Sequence, residues 1–240
     1  MNHGGRDLLI ELSGVTKDYR SLRPLRVQHL SLNEGESIAL LGFDAAMAEV
    51  LVNLITGAQL PDAGEVRVFG RPTTSITAVE DWVTELDRFG LISTRAVLVD
   101  QFTAEQNLAL PLTLEIDPLA PSIRMEVTQL ATEVGLSTDE LGLQTAALSP
   151  SAQLRLRVGR ALALHPRVLL AEHPNALLTR EEAPRFASDL ARISEQRGIA
   201  ALVMTADPAF ARAVASRVLE LQPATGALLE KRFGLRRWFS

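Results

Sequence analysis

The chain has 240 residues, 47% of them apolar and 22% charged, with a net charge of −5 and no cysteine. That composition fits a globular protein with a sizeable core, and it excludes wholesale disorder, disulfides, thiol catalysis and thiolate metal sites. The acidic balance gives no general nucleic-acid footprint, and the four scattered histidines (His3, His29, His165, His173) lack metal-ligand spacing.

In chain order, the first third reads as β-rich. The segments 8–15 (LLIELSGV) and 26–33 (RVQHLSLN) alternate apolar and polar residues, as half-buried antiparallel strands do. The run 37–42 (SIALLG) is continuously apolar, the mark of a strand buried on both faces. Helical spacing follows, with Met47, Val50, Leu51, Leu54 and Ile55 on one face and Gly57 placed to end the helix. A further alternating strand spans 64–70. Helical patterns then occupy 103–112, 122–135 and 149–164, the last opening on Ser149 as cap and Pro150 at the first position. A short buried-strand pattern (167–173), a helix (180–198), a strand (199–205) and a hairpin-like pair (216–232) complete the order. Buried-type strands alternating with helices predict an α/β fold with a mostly parallel sheet flanked by helices. An antiparallel β subdomain stands at the N-terminus, and a helical subdomain of about 95–164 interrupts a core of about 1–94 and 165–240. No apolar stretch approaches the ~20 residues of a spanning helix, and the N-terminus lacks a signal peptide's apolar segment, so a cytoplasmic chain is expected. The basic, aromatic tail 231–240 suits either a partner or packing of Trp238 and Phe239 onto the domain.

The strand-to-helix junction at 42–50 (GFDAAMAEV) sits where a phosphate-binding loop would. Such a loop needs glycines that turn backbone N–H groups toward the phosphates, a lysine for the β/γ charge and a hydroxyl for Mg²⁺. Gly42 is in register. The second glycine becomes Met47, the lysine becomes Ala48 and the hydroxyl becomes Glu49, while Asp44 adds a carboxylate. One carboxylate ~4 Å from a phosphate charge costs about 4 kcal/mol at an effective dielectric of ~20. Helix-dipole attraction, only about 0.3–1 kcal/mol, does not offset it. Taken alone, the stretch reads as a tight turn whose carboxylates favour the helix N-terminus.

The segment 148–183 (LSPSAQLRLRVGRALALHPRVLLAEHPNALLTREEA) resembles the signature helix and Walker B strand of ATP-binding-cassette (ABC) transporter subunits. The segments 61–72 and 203–221 are similar to the strand after the phosphate loop and to the switch region of the same family. The likeness runs in unbroken order over about residues 8–232 and implies a P-loop NTPase-like core with a helical subdomain. It also places the family's functional positions. The nucleotide side falls on Tyr19, Gly42, Ala46, Met47, Ala48, Glu49 and Val50. Tyr19 stands where an aromatic ring stacks on adenine, though an ordinary edge-strand aromatic fits it equally. The signature loop falls on Ser149, Pro150 and Ser151, where the serine serves either as a helix cap or as a contact to nucleotide across a dimer.

The catalytic positions fall on Thr94 (the family's glutamine), Glu172 (the Walker B aspartate), His173 (the general base) and Ala206 (the switch histidine). Loss of chemistry with retention of fold implies a degenerate, pseudo-ATPase subunit with no catalytic residues and no metal site. No cofactor is expected beyond a weakly held ATP or other purine nucleotide, and Mg²⁺ is doubtful. The resemblance implies a membrane-spanning transporter subunit as partner, and a homodimer or a heterodimer with another ABC-type subunit. The competing readings are a working ATPase using Glu172 and His173, and a soluble interaction module detached from transport.

Overall fold

The computed structural model describes residues 7–76 and 79–231. The tail from 232, with Trp238 and Phe239, lies outside the described residues.

The chain first forms β1 (Leu8–Lys17), β2 (Leu25–Asn33), β3 (Ser37–Leu41), α1 (Ala45–Ile55), β4 (Ala63–Val68) and β5 (Arg71–Pro72). Then come α2 (Val79–Leu86), β6 (Phe89–Ile92), α3 (Ala104–Ala109), α4 (Pro121–Val134), α5 (Thr138–Gly142) and α6 (Pro150–Leu162). It closes with β7 (Val168–Glu172), α7 (Glu182–Arg197), β8 (Ala200–Met204), α8 (Pro208–Val214), β9 (Arg217–Gln222) and β10 (Ala227–Glu230). One sheet is antiparallel, in the order β2-β1-β4-β5. The other runs β10-β9-β3-β8-β7-β6, parallel except for the β9–β10 hairpin.

The continuous apolar runs in β3, β7 and β8 exist because both faces of the larger sheet are covered. Successive side chains point to opposite faces, so each strand feeds two cores. Ile38, Leu40, Val168, Leu170, Leu202 and Met204 pack with α1 and the antiparallel sheet. Ala39, Leu41, Leu169, Ala171, Ala201 and Val203 pack with α3, α4, α6, α7 and α8. Each fully buried Leu or Ile in these layers contributes roughly 1.5–3 kcal/mol relative to exposure.

The sequence pattern overextends α3, expected over 103–112, because Pro111 cannot continue a helix and the turn closes by Leu110. It leaves α2 and β6 unassigned. β6 passes so close to α6 that a Cβ on Gly90 would lie 2.4 Å from the Ala161 carbonyl oxygen.

The turn from β2 into β3 is fixed by Glu36. Its carboxylate accepts from the Asn33 amide and side chain, both at 2.9 Å, and pairs with Arg217 of β9 at 2.5 Å. Burial pushes the Glu36 carboxyl up, but these partners outweigh it and hold it below its ordinary 4.5. Its stabilisation is therefore complete above that value and is lost as pH falls through the lower, folded value. In chemical denaturation, Glu36→Gln should be less stable than the wild type at about pH 6, with the gap closing toward about pH 3.

Candidate functional site

The parallel strands β3, β6, β7 and β8 all end at one edge of the larger sheet, and the expected site residues gather on the loops that leave it. In open α/β sheets this carboxyl edge is where ligands bind. After β3, Gly42 takes φ +84°, and a Cβ there would meet the Leu221 backbone at 3.3 Å. Phe43 is buried, and Asp44 caps α1 by accepting the Met47 N–H at 2.8 Å. The Asp44 carboxylate thus occupies a donor that a phosphate loop would offer its ligand.

Within α1, Ala46 is exposed, Ala48 is fully enclosed in the core, and Met47, Glu49 and Val50 border the open side. Tyr19, half-buried at the end of β1, lines two cavities. One, of about 340 Å³, includes Arg23, Arg26, Asp44 and Met47. The other, of about 390 Å³, includes Arg20, Ala46, Glu49 and Val50. Both volumes lie within the range of small-molecule sites.

The centre of the site is an ion cluster that the sequence did not disclose. Arg95, just beyond β6, donates through Nε to Glu172 at 3.1 Å and makes a second, very close contact to the same carboxylate. Its other terminal nitrogen reaches Glu49 at 3.3 Å. Ser93 adds a hydroxyl donor to Glu172 at 2.7 Å. The hydrogen bonds to Glu172 hold the Arg95 guanidinium above its already high ordinary value, so it is a permanent cation. The segment carrying it is anchored by Asn107, fully buried in α3, which exchanges two 2.9 Å hydrogen bonds with the Val99 backbone and donates to Thr145 Oγ1 at 2.8 Å.

Of the other catalytic positions, Thr94 and His173 share one small cavity with Glu172 and Ser93, and Ala206 lies outside it. Thr94, set against the family's glutamine, is exposed, and its neighbour Arg95 is the residue that reaches the Walker B carboxylate. His173 adopts φ +44°, and its Nε2 is buried with no partner among the described residues. It lines a small cavity of about 20 Å³ with Ser93, Thr94 and Glu172 on one side and Leu154 and Arg157 of α6 on the other; no residue of α1 lines it. Arg157 Nε is equally unpartnered there, and burial lowers its pKa. Ala206 is exposed and offers only a methyl group. Ser149 caps α6 by accepting the Ala152 N–H at 3.1 Å; Pro150 follows at the first helical position, then Ser151. None of these three lines the cavities beside Tyr19.

The sequence profile described as ABC transporter matches residues 25–176. The chain belongs to the ABC transporter family. The lipoprotein-releasing system ATP-binding protein LolD of Anaeromyxobacter dehalogenans is 32% identical over 216 residues, covering 88% of this chain and 90% of that protein. The methionine import ATP-binding protein MetN of Brucella abortus is 30% identical over 214 residues, covering 89% of this chain. This chain spans 57% of the length of that MetN. In fold, it superposes on the dimeric ATP-binding cassette MJ0796, solved in a post-hydrolysis state with ADP and Pi, with a TM-score of 0.77. That match covers 95% of this chain and 100% of the other at 23% identity.

Membership in the ABC transporter family corrects the expectation that no cofactor is taken and that Mg²⁺ is doubtful. The lipoprotein-releasing and methionine-import relatives are both named ATP-binding proteins, which conflicts with an expectation of no cofactor. The physical error lay in counting Asp44 and Glu49 as free negative charges beside the phosphates. Asp44 is engaged as a helix cap, and Glu49 faces a permanent cation. The cavities around Tyr19 have the volume of a small-molecule site, with residues of the start of α1 on both.

The coupling between Arg95 and Glu172 can be measured. The Glu172 side chain is 8% exposed and that of Arg95 is 38% exposed, so solvent screens the pair in part. Arg95→Met should destabilise the fold by leaving Glu172 short of partners. A double-mutant cycle with Glu172→Gln, read by denaturant titration, should give a coupling of about 1–2 kcal/mol.

Proposed function

We propose that this chain is the nucleotide-binding subunit of an ABC-type membrane transport complex in which ATP binding, without hydrolysis, is the working step. It serves the complex as a structural or regulatory cytoplasmic partner of a membrane-spanning subunit, paired with a second cassette, identical or different. Residues of about 95–164 form its helical subdomain, and about 1–94 with 165–240 form its core. The observation that carries this reading is the Arg95 cluster. Glu172 is already bonded to Arg95 and Ser93. His173, the residue at the general-base position, shares with Glu172, Ser93 and Thr94 a cavity of only about 20 Å³ that no residue of α1 lines.

Hydrolysis requires a base within hydrogen-bond reach of the attacking water. Among the residues at the family's catalytic positions, Ala206 has no proton to give or take and Thr94 is a poor substitute for a base. The methionine importer, the lipoprotein-releasing system and a macrolide export ATP-binding/permease protein, all among the relatives, support a transport setting. Among the described residues no helix is long and apolar enough to cross a membrane, which is consistent with attachment through a partner.

Calorimetric titration with Mg-ATP, paired with a phosphate-release assay, tests the proposal. Binding that Tyr19→Ala weakens, with release no faster than in a Glu172→Ala, His173→Ala double variant, is the expected outcome. Turnover clearly above that control would sink the loss of hydrolysis and favour a working ATPase with non-standard residues.

A further inference from the structure

With Ala48 enclosed in the core, the strand–helix loop has no cation of its own for a polyphosphate. Most neighbouring cations are already committed. Lys17 Nζ lies 2.8 Å from Asp62 Oδ1, and the second oxygen of Asp62 accepts the Asp18 amide at 2.7 Å. The hydrogen bond from Lys17, with that from the Asp18 amide, holds the Asp62 carboxyl below its ordinary value. Arg95 is held by Glu172 and Glu49. Arg26 reaches the Ala224 carbonyl at 3.5 Å, and its backbone packs against Gly226.

Two guanidinium groups remain. Arg20 and Arg23 are exposed, and among the described residues neither side chain has an ion pair or hydrogen bond. They line the two cavities that share Tyr19, Arg20 on the side of Ala46 and Glu49, Arg23 on the side of Asp44 and Met47. Arg20 is also held at φ +61°, a region that residues with a Cβ seldom adopt, by a 2.9 Å bond from its amide to Asp18 Oδ1. The Asp62 anchor fixes the start of this loop, so the two arginines project from a pinned base. Two unpaired arginines thus flank one half-buried tyrosine, in cavities that also carry the carboxylates of Asp18, Asp44 and Glu49.

We propose that Arg20 and Arg23 are the polyphosphate-binding cations of this site, gripping the ligand from the β1–β2 loop in place of the missing loop lysine. The assignment rests on the reading that the site takes ATP. Guanidinium groups suit the task because their planar donors match phosphate oxygens in pairs and stay charged at every accessible pH. The base and the phosphates would then be read by one segment, residues 17–26, with α1 as a wall.

The test is calorimetric titration of the full chain with ATP, adenosine and inorganic tripolyphosphate. Arg20→Gln/Arg23→Gln should weaken ATP about tenfold or more and abolish tripolyphosphate binding, leaving adenosine unchanged. Tyr19→Ala should weaken ATP and adenosine but not tripolyphosphate. Equal ATP affinity in wild type and the arginine variant overturns the proposal and leaves the ATP reading standing. Tripolyphosphate binding that the arginine variant loses, with no ATP binding by the wild type, keeps the cation site and overturns the ATP reading. Silence toward both ligands in the wild type overturns both.

Discussion

Burial of the larger sheet on both faces is the constraint from which the rest of this molecule follows. With α1 and the antiparallel sheet on one side and five helices on the other, β3, β7 and β8 have no face left for water. Polar groups on these strands can appear only where the strands stop, so the side chains they carry into the site stand at the loops of the carboxyl edge. Gly42, Glu172, His173 and Thr205 each stand at or just past a strand end for that reason. The same enclosure makes the loops precise. Thr205, for example, is fully buried and donates to Asn175 at 2.8 Å while accepting the Asp207 amide at 3.1 Å.

At that edge, Arg95 makes an otherwise repulsive arrangement of carboxylates tenable. Glu49 and Glu172 come from a helix and a strand far apart in sequence; Glu49 is solvated, but Glu172 is buried and would be costly without a partner. A fixed guanidinium between them leaves the trio with one net negative charge instead of two. The Arg95–Glu172 contact also closes a span of 77 residues, the whole helical insertion. It therefore ties α1, the end of β6 and the end of β7 into one unit.

Much of the fold was legible in the sequence because burial writes a simple pattern. The apolar runs at 37–42, 167–173 and 199–205 became β3, β7 and β8, and the alternating runs at 8–15 and 26–33 became an antiparallel pair with Leu12 opposite Leu30. Ser149 capped α6 as its residue type suggested. The site was legible as a set of positions but not as a set of contacts. Arg95 belongs to no periodic pattern, and its partners lie 46 and 77 residues away. Without Arg95 in view Glu49 reads as an uncompensated charge, and without the cap to Met47 so does Asp44, which leaves only a weakly held nucleotide as the expectation. The left-handed turn at His173, which carries its ring toward α6, likewise has no glycine or asparagine to announce it.

The Arg95 cluster also bears on whether this sequence could drift back toward a lysine-bearing loop. Ala48 is fully enclosed, so a lysine there would place an ammonium group where a methyl is now walled in. Exchanging Glu49 for a hydroxyl residue would strip one partner from Arg95, and losing Arg95 would leave Glu172 with little more than Ser93. The Glu49 exchange, between two exposed side chains, costs little, whereas the loss of Arg95 strands a buried carboxylate. Arg95 is the residue the rest of the arrangement can least spare.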